Sequence, residues 1–308
     1  MNTYSRPLHD NQLAYDFLTR ALGYTNTLEV GDHVQRIVTA EKLLQSTTAE
    51  PTLSDKKNRH TFYYTDEKRR QLREKIFLEL VFEKRLPSDD DICLGRGGAL
   101  PENVKNEGKA YIIIGLPASG KSTIAEKVAD KYHAALVDSD LAKRKLPEFS
   151  LPQGASIVHA ESSQITFGSD DEGNDEPSVY EYFTKNRTNI VIPKIGQDVD
   201  SVLALRDSLL EESEYKYDEV HLILVSVDRK ESTKRALARF LKTNRYVPLS
   251  LVFDVYANDP TLTYYRVRDC DKWTSTGKVT TDGPTPKYVA GSTEDNPVNI
   301  LFGGVNEK

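Results

Sequence analysis

The residues best suited to chemistry are Gly115-Leu116-Pro117-Ala118-Ser119-Gly120-Lys121-Ser122. Their spacing is G-x-x-x-x-G-K-[ST], the pattern of a loop that wraps nucleotide phosphates. Gly115 and Gly120 free the backbone to turn successive N–H groups onto phosphate oxygens. Lys121 brings a full charge to the β- and γ-phosphates, and Ser122 a hydroxyl to Mg²⁺. The predicted nucleotide-binding positions are Gly115, Ala118, Ser119, Gly120, Lys121, Ser122 and Thr123, with ATP and Mg²⁺ as cofactors.

Two carboxylates come next. Asp138 and Asp140 follow the apolar run 134–137, which reads as a strand. Phosphoryl transfer needs one carboxylate to orient or deprotonate the attacking hydroxyl, and often a second near Mg²⁺. Alternation along an extended segment would put both on one side. Asp140, lying further out, is the predicted base, and Asp138 the predicted Mg²⁺ ligand and substrate contact. Either could equally cap a helix beginning near Leu141. Arg235 and Arg239 share a helix face, and Arg245 follows in a loop. Guanidinium groups on a lid suit charge stabilisation on a transferring phosphoryl group. Arg239 and Arg245 are predicted to act so, whereas Arg235 suits a solvated face. His159 and Ser163, on a polar helical stretch, are predicted substrate contacts.

These groups need elements to position them. The β-branched run 110–114 reads as a buried parallel strand, and 122–129 as the helix after the loop. Strands are also predicted at 134–137, 190–192 and 221–227, alternating with helices, which implies a parallel sheet flanked by helices. Ligands in such sheets bind beyond the carboxyl ends of the strands. Before the loop the chain reads as helical. Leu13, Phe17 and Ala21 mark one helix, Val34, Ile37, Val38 and Leu44 a second, and Leu72, Ile76 and Leu80 a third capped by Thr65. The charged residues of the third, from Glu67 through Arg69, Arg70 and Arg73 to Lys75, read as a solvated face. The segment 87–98 reads as a linker and 169–176 as an acidic surface loop. The division is then a helical region and linker at 1–105, a kinase core at 106–270 and an irregular tail at 271–308, with irregular or short β structure in the tail.

Composition excludes other classes. A hydrophobic fraction of 38% leaves room for a core, and 29% charged residues with a mean hydropathy of -0.54 mark a soluble chain. No apolar run suits a membrane span, and Met1–Arg6 lacks a signal-peptide apolar region. Cys93 and Cys270 form no metal-like spacing, so a cytoplasmic setting is predicted. A net charge of -6 argues against nucleic acid as a partner.

From about Ala110 to Val247 the chain resembles the zeta-toxin family of P-loop kinases. The resemblance rests on the phosphate loop, on Val137-Asp138-Ser139-Asp140 followed by Lys143 and Pro147, on the segment 155–163, and on Arg239 and Arg245. It implies a kinase of the sugar 3′-hydroxyl of UDP-N-acetylglucosamine, with Lys121 and Ser122 in the nucleotide loop, Asp140 as base, and Arg239 and Arg245 stabilising phosphate. It also implies a toxin or effector, with an antitoxin or chaperone as protein partner and, for an effector, delivery to a target cell. One departure stands out. Where zeta toxins carry Glu-Gly-Thr after the third strand, this chain has Pro193-Lys194-Ile195-Gly196. That exchange looks more like the related branch that phosphorylates a ribose hydroxyl of NAD, and it makes Lys194 a predicted substrate contact. The expected function is therefore an ATP-dependent kinase of a nucleotide-type acceptor, with NAD favoured. UDP-N-acetylglucosamine, a polynucleotide 5′-end and a nucleotide-gated binding module are the alternatives.

Overall fold

Strand β1, Lys109–Ile114, is buried on both faces, as a β-branched run at the centre of a sheet must be. The computed structural model describes residues 6–47, 51–169, 176–212 and 215–304. The sheet adds β2 (Ala135–Leu136), β3 (Ile190–Lys194), β4 (Glu219–Ser226), β5 (Ser275–Thr280) and β6 (Lys287–Gly291), in the order β2-β3-β1-β4-β5-β6. The first five strands pair in parallel, and Ile114 of β1 lies beside Lys194 of β3. β6 runs antiparallel to β5. The sheet is therefore mixed, which corrects the purely parallel expectation.

The tail is also more regular than an irregular segment. It supplies β5, β6 and a closing helix, Pro297–Phe302. Gly277 allows this, since a Cβ there would meet Val298 Cγ2 at 2.4 Å. The Thr- and Gly-rich composition hid a strand that depends on close approach.

Before β1 lie α1 (Asn11–Asp16, continued by a π-turn, Phe17–Ala21), α2 (Thr27–Thr47) and α3 (Asp66–Phe82). Leu13 is 45% exposed, and the face of α1 runs instead through Ala14, Phe17 and Leu18. Thr65 caps α3, accepting from the Lys68 amide. α3 sits in the main core through Leu72, Ile76 and Leu80. Arg69 is not solvated but completely buried. It donates to Glu148 at 2.7 Å and to Glu161 at 2.6 Å, joining α3 to the chain beyond β2. Glu161 is held below the usual carboxylate range by Arg69, against the opposing effect of its burial.

α1 and α2 belong to a second core. Phe17, Leu18, Ile37 and Val38 pack with Leu237, Phe240, Tyr246 and Phe253, and Ala118 of the glycine loop leans against them. The segment 87–98 is packed too. Gly98 lies against the carbonyls of Glu79 and Glu83, and buried Lys145 bonds the carbonyls of Cys93 and Arg96. Of the acidic loop only Ser169 and Glu176 lie among the described residues, and Glu176 pairs with Arg73 at 2.6 Å.

Replacing Arg69 by Met leaves buried Glu148 without its cation and Glu161 with only Arg73, at 3.4 Å. Denaturant unfolding is expected to show a loss of about 3–5 kcal/mol. A loss under about 1 kcal/mol would contradict a structural role for this bridge.

Candidate active site

The loop between β1 and α4 (Lys121–Tyr132) takes its shape from two glycines. A Cβ on Gly115 would lie 2.5 Å from the Val225 carbonyl, and Gly120 has φ +87°. Ala118 also has positive φ, +59°, a strained position for a residue with a Cβ. Neighbouring elements brace the turn. Ser232 donates to the Pro117 carbonyl at 2.5 Å, and Thr281 to that of Ser119 at 2.6 Å. The Ser119 hydroxyl is buried with no hydrogen-bond partner among the described residues. The first amides of α4, including those of Ser122 and Thr123, have no partner within the helix, which makes its start an anion site.

Lys121 points back under the loop. Its Nζ donates to the carbonyls of Gly115 at 2.8 Å and Leu116 at 2.6 Å. Burial pushes its pKa down to about 8, an effect that the charges of Asp138 and Asp140 oppose and that of Arg239 reinforces. These four groups therefore share one neighbourhood at the carboxyl edge of the sheet.

Asp138 and Asp140 come together differently from expectation. The chain turns into α5 (Ser139–Lys145) directly after Asp138, so strand alternation does not apply. Asp138 is the N-cap and accepts from the Asp140 amide at 2.9 Å. Asp140 stands in the first turn, its carboxylate 2.8 Å from Lys143 Nζ. It is walled by protein yet its side chain stays 57% exposed, as at the floor of an open cleft. The two carboxyls titrate as a pair. Burial and the charge of Asp140 push Asp138 up to about 7. Asp140 is held down to about 2 by Lys143 and Arg239, which overcome its burial. Asp140 is the member that stays ionised.

The guanidinium of Arg239, an exposed residue on α10 (Arg229–Thr243), makes no hydrogen bond or ion pair among the described residues. Burial lowers its pKa, and Asp140 opposes that shift. A guanidinium near Lys121 and Asp140 with no protein partner is charge available to a ligand. Arg245 lies elsewhere in the cleft, bonded to Asp90 at 2.7 Å. Arg235 bonds Glu231 and the Thr281 carbonyl, so it braces the loop and is not a purely solvated residue.

Lys194 ends β3 beside β1. Its ammonium lies over the Phe167 ring, 3.2 Å from the centroid, and burial pushes its pKa down to about 8. His159 opens α7 (His159–Phe167), near Asp140, Lys143 and Lys194. Burial and the two lysines keep its pKa below the usual value, so the ring is neutral near pH 7. Ser163, one turn on, shares its helix face. Sequence reasoning gave no role to Lys143, Arg144, Asp89 or Asp90. Only Lys143 had a readable signal, its three-residue spacing from Asp140.

ATP and Mg²⁺ suit this donor set. The unpartnered Ser119 hydroxyl and the α4 start fit phosphate oxygens. Among the described residues no group of three His, Cys, Asp or Glu could hold a metal. Ser122 and Asp138 offer two hard oxygen donors, which suits an ion that keeps waters and phosphate oxygens in its shell.

The zeta toxin family matches residues 100–260, more than half of the chain. A solved structure described by its work on the PezAT chromosomal toxin-antitoxin system of Streptococcus pneumoniae is similar. Its TM-score is 0.51 at 13% identity, over 80% of this chain and 92% of that one. At that identity the likeness concerns the fold. A gluconokinase from Sinorhizobium meliloti 1021 aligns at a TM-score of 0.31 and 14% identity over 58% of this chain and 86% of that one, too weakly to bear on the fold. No curated protein matches.

Lys121→Ala is expected to cut phosphoryl transfer by the equivalent of about 2.7–4 kcal/mol, the loss of one preorganised electrostatic donor. Circular dichroism should match the parent. Unchanged turnover in a folded variant would contradict the role of this loop.

Proposed function

This chain belongs to the zeta toxin family and is a phosphotransferase, and from that premise we propose that it moves the γ-phosphoryl of ATP onto a sugar hydroxyl of a nucleotide-linked acceptor. The observation that carries the reading is the convergence of half-buried Lys121, ionised Asp140 and an Arg239 guanidinium unpaired among the described residues. In this reading Gly115, Ala118, Ser119, Gly120, Lys121, Ser122 and Thr123 hold ATP, and Ser122 and Asp138 hold Mg²⁺, which neutralises phosphate charge when bound. Asp140 orients the acceptor hydroxyl and receives its proton. Arg239 and Arg245 supply positive charge to phosphate. His159, Ser163 and Lys194 face the acceptor, with His159 uncharged and able to donate or accept a hydrogen bond. A nucleotide-gated switch has no use for an ionised carboxylate whose charge reaches the phosphate-loop lysine.

UDP-N-acetylglucosamine is the first acceptor to be tested, because it is the substrate implied by membership of the family. The ribose of NAD is the second reading, and Lys194 favours it. A lysine at the end of β3 replaces a carboxylate that would hold sugar hydroxyls, and adds attraction for a pyrophosphate. An antitoxin-type protein is the proposed partner, by extension from the toxin-antitoxin system named with the similar structure. Among the described residues no helix is long and apolar enough to cross a membrane.

Labelled ATP offered with each acceptor separates the readings. Label on UDP-N-acetylglucosamine alone supports the first, and label on NAD alone the second. Asp140→Asn is expected to abolish transfer while ATP still binds, since an amide cannot take the proton. Full activity in Asp140→Asn would remove Asp140 from this role. Lys194 carries its charge below about pH 8 and loses it above. The KM for a pyrophosphate acceptor is therefore expected to rise several-fold above pH 8, as when a charge-assisted hydrogen bond is lost. Lys194→Arg should flatten that rise, because arginine stays charged. An unaltered pH profile in that variant would exclude Lys194 from acceptor binding.

A further inference from the structure

A cleft of about 630 Å³ has a lining that includes Asp90, Arg144, Lys145, Phe149, Thr243 and Arg245. Arg144 lies four residues beyond Asp140 on α5, so it continues the same helix face away from the phosphate loop. Arg144 and Arg245 come from distant parts of the chain and meet on a single oxygen. Arg144 Nη1 lies 2.9 Å, and Arg245 Nη2 2.7 Å, from Asp90 Oδ1. The Arg245 guanidinium also stands 5.2 Å from the centroid of the Phe149 ring.

Asp90 is the one carboxylate that pairs with both guanidinium groups, while the charges of Asp89 and Asp140 lie near Arg144 and Lys145 is spent on Glu79 at 2.7 Å. Arg144 Nε is buried with no hydrogen-bond partner among the described residues. The two arginine side chains are only 16% and 18% exposed, whereas that of Asp90 is 60% exposed, on a short turn, Asp89–Asp91. The cations are thus held in place and the anion is the part free to swing out. A phosphate carries more charge and more acceptor oxygens than a carboxylate, and guanidinium forks match its geometry. Phe149 adds a ring face beside them, suited to a base or sugar.

We propose that this cleft is a subsite for the nucleoside diphosphate end of the acceptor, gripped by Arg144 and Arg245, in which Asp90 stands where a phosphate binds and is displaced by it. This deepens the acceptor reading above and rests on it. An acceptor seated here places its sugar toward Asp140, one helical turn back along α5. Asp90 belongs to the segment between the N-terminal helices and β1, so that segment sets the threshold for acceptor entry.

The test uses the full chain saturated with a non-hydrolysable ATP analogue and Mg²⁺, so that the phosphate loop is occupied. UDP and ADP-ribose are titrated in by calorimetry. The parent is expected to bind at least one of them at one site per chain, and which one binds identifies the nucleoside. Arg144→Gln and Arg245→Gln should each weaken that binding about tenfold or more, the effect of one lost charge-assisted hydrogen bond. Asp90→Asn should tighten it several-fold, because the competing charge is gone. No binding of either compound, or weaker binding in Asp90→Asn, would overturn the proposal. So would a loss of ATP-analogue affinity in Arg144→Gln equal to its loss of diphosphate affinity. Phosphoryl transfer is measured separately on the parent. If it phosphorylates a nucleotide-linked sugar but binds neither diphosphate, the subsite fails and the kinase reading stands. If it binds UDP or ADP-ribose but phosphorylates no nucleotide-linked sugar, the acceptor reading fails instead.

Discussion

The ammonium of Lys121 is half-buried, with two backbone carbonyls as its hydrogen-bond partners. Among the described residues no carboxylate bonds it, so a partly desolvated positive charge stands without a full counter-charge. Burying a charge is costly unless it is paired, and the surroundings relieve that cost only in part. Asp138 and Asp140 oppose the shift from a distance, while Arg239 adds to the excess. Such a site gains most when a polyanion arrives. The rest of the cleft is organised by that deficit. The braces from Ser232 and Thr281 keep the carbonyls in place, and Lys143 keeps Asp140 ionised beside the loop.

The helices before β1 are part of the same mechanism, because the cleft is built partly from them. α1 and α2 cover α10, the helix that carries Arg239, and reach Ala118 in the loop. Glu41 on α2 accepts from the Tyr246 hydroxyl at 2.5 Å, next to Arg245 in sequence. α3 fixes the other wall through Arg69, which ties down Glu148 and the α7 residue Glu161. The Arg239 helix and the α7 helix are therefore both anchored to the N-terminal region. Changes in that region reach the site through packing and buried charge.

Much of this was legible where the signal is local. The flanks of the glycine loop and the cap at Thr65 are short-range patterns, and the chain adopts them. Long-range pairings were not legible. Asp90 and Arg245 are 155 residues apart, and nothing in either segment names the other. Arg69 sits among charged neighbours in a helix that reads as solvated, yet its carboxylate partners lie 79 and 92 residues away. The Asp138–Asp140 geometry was misread for a local reason. Two short polar residues after a strand suit extended chain and helix cap equally, and here the cap won.

The most direct measurement offers the protein a whole metabolite extract with Mg-ATP and follows the phosphoryl group by mass spectrometry. The geometry of Lys121, Asp140 and Arg239 predicts ATP consumption matched by a single new phosphate on the sugar of a nucleotide-linked metabolite. ATP consumed to free phosphate at the same rate with and without the extract, with no phosphorylated metabolite formed, would contradict it.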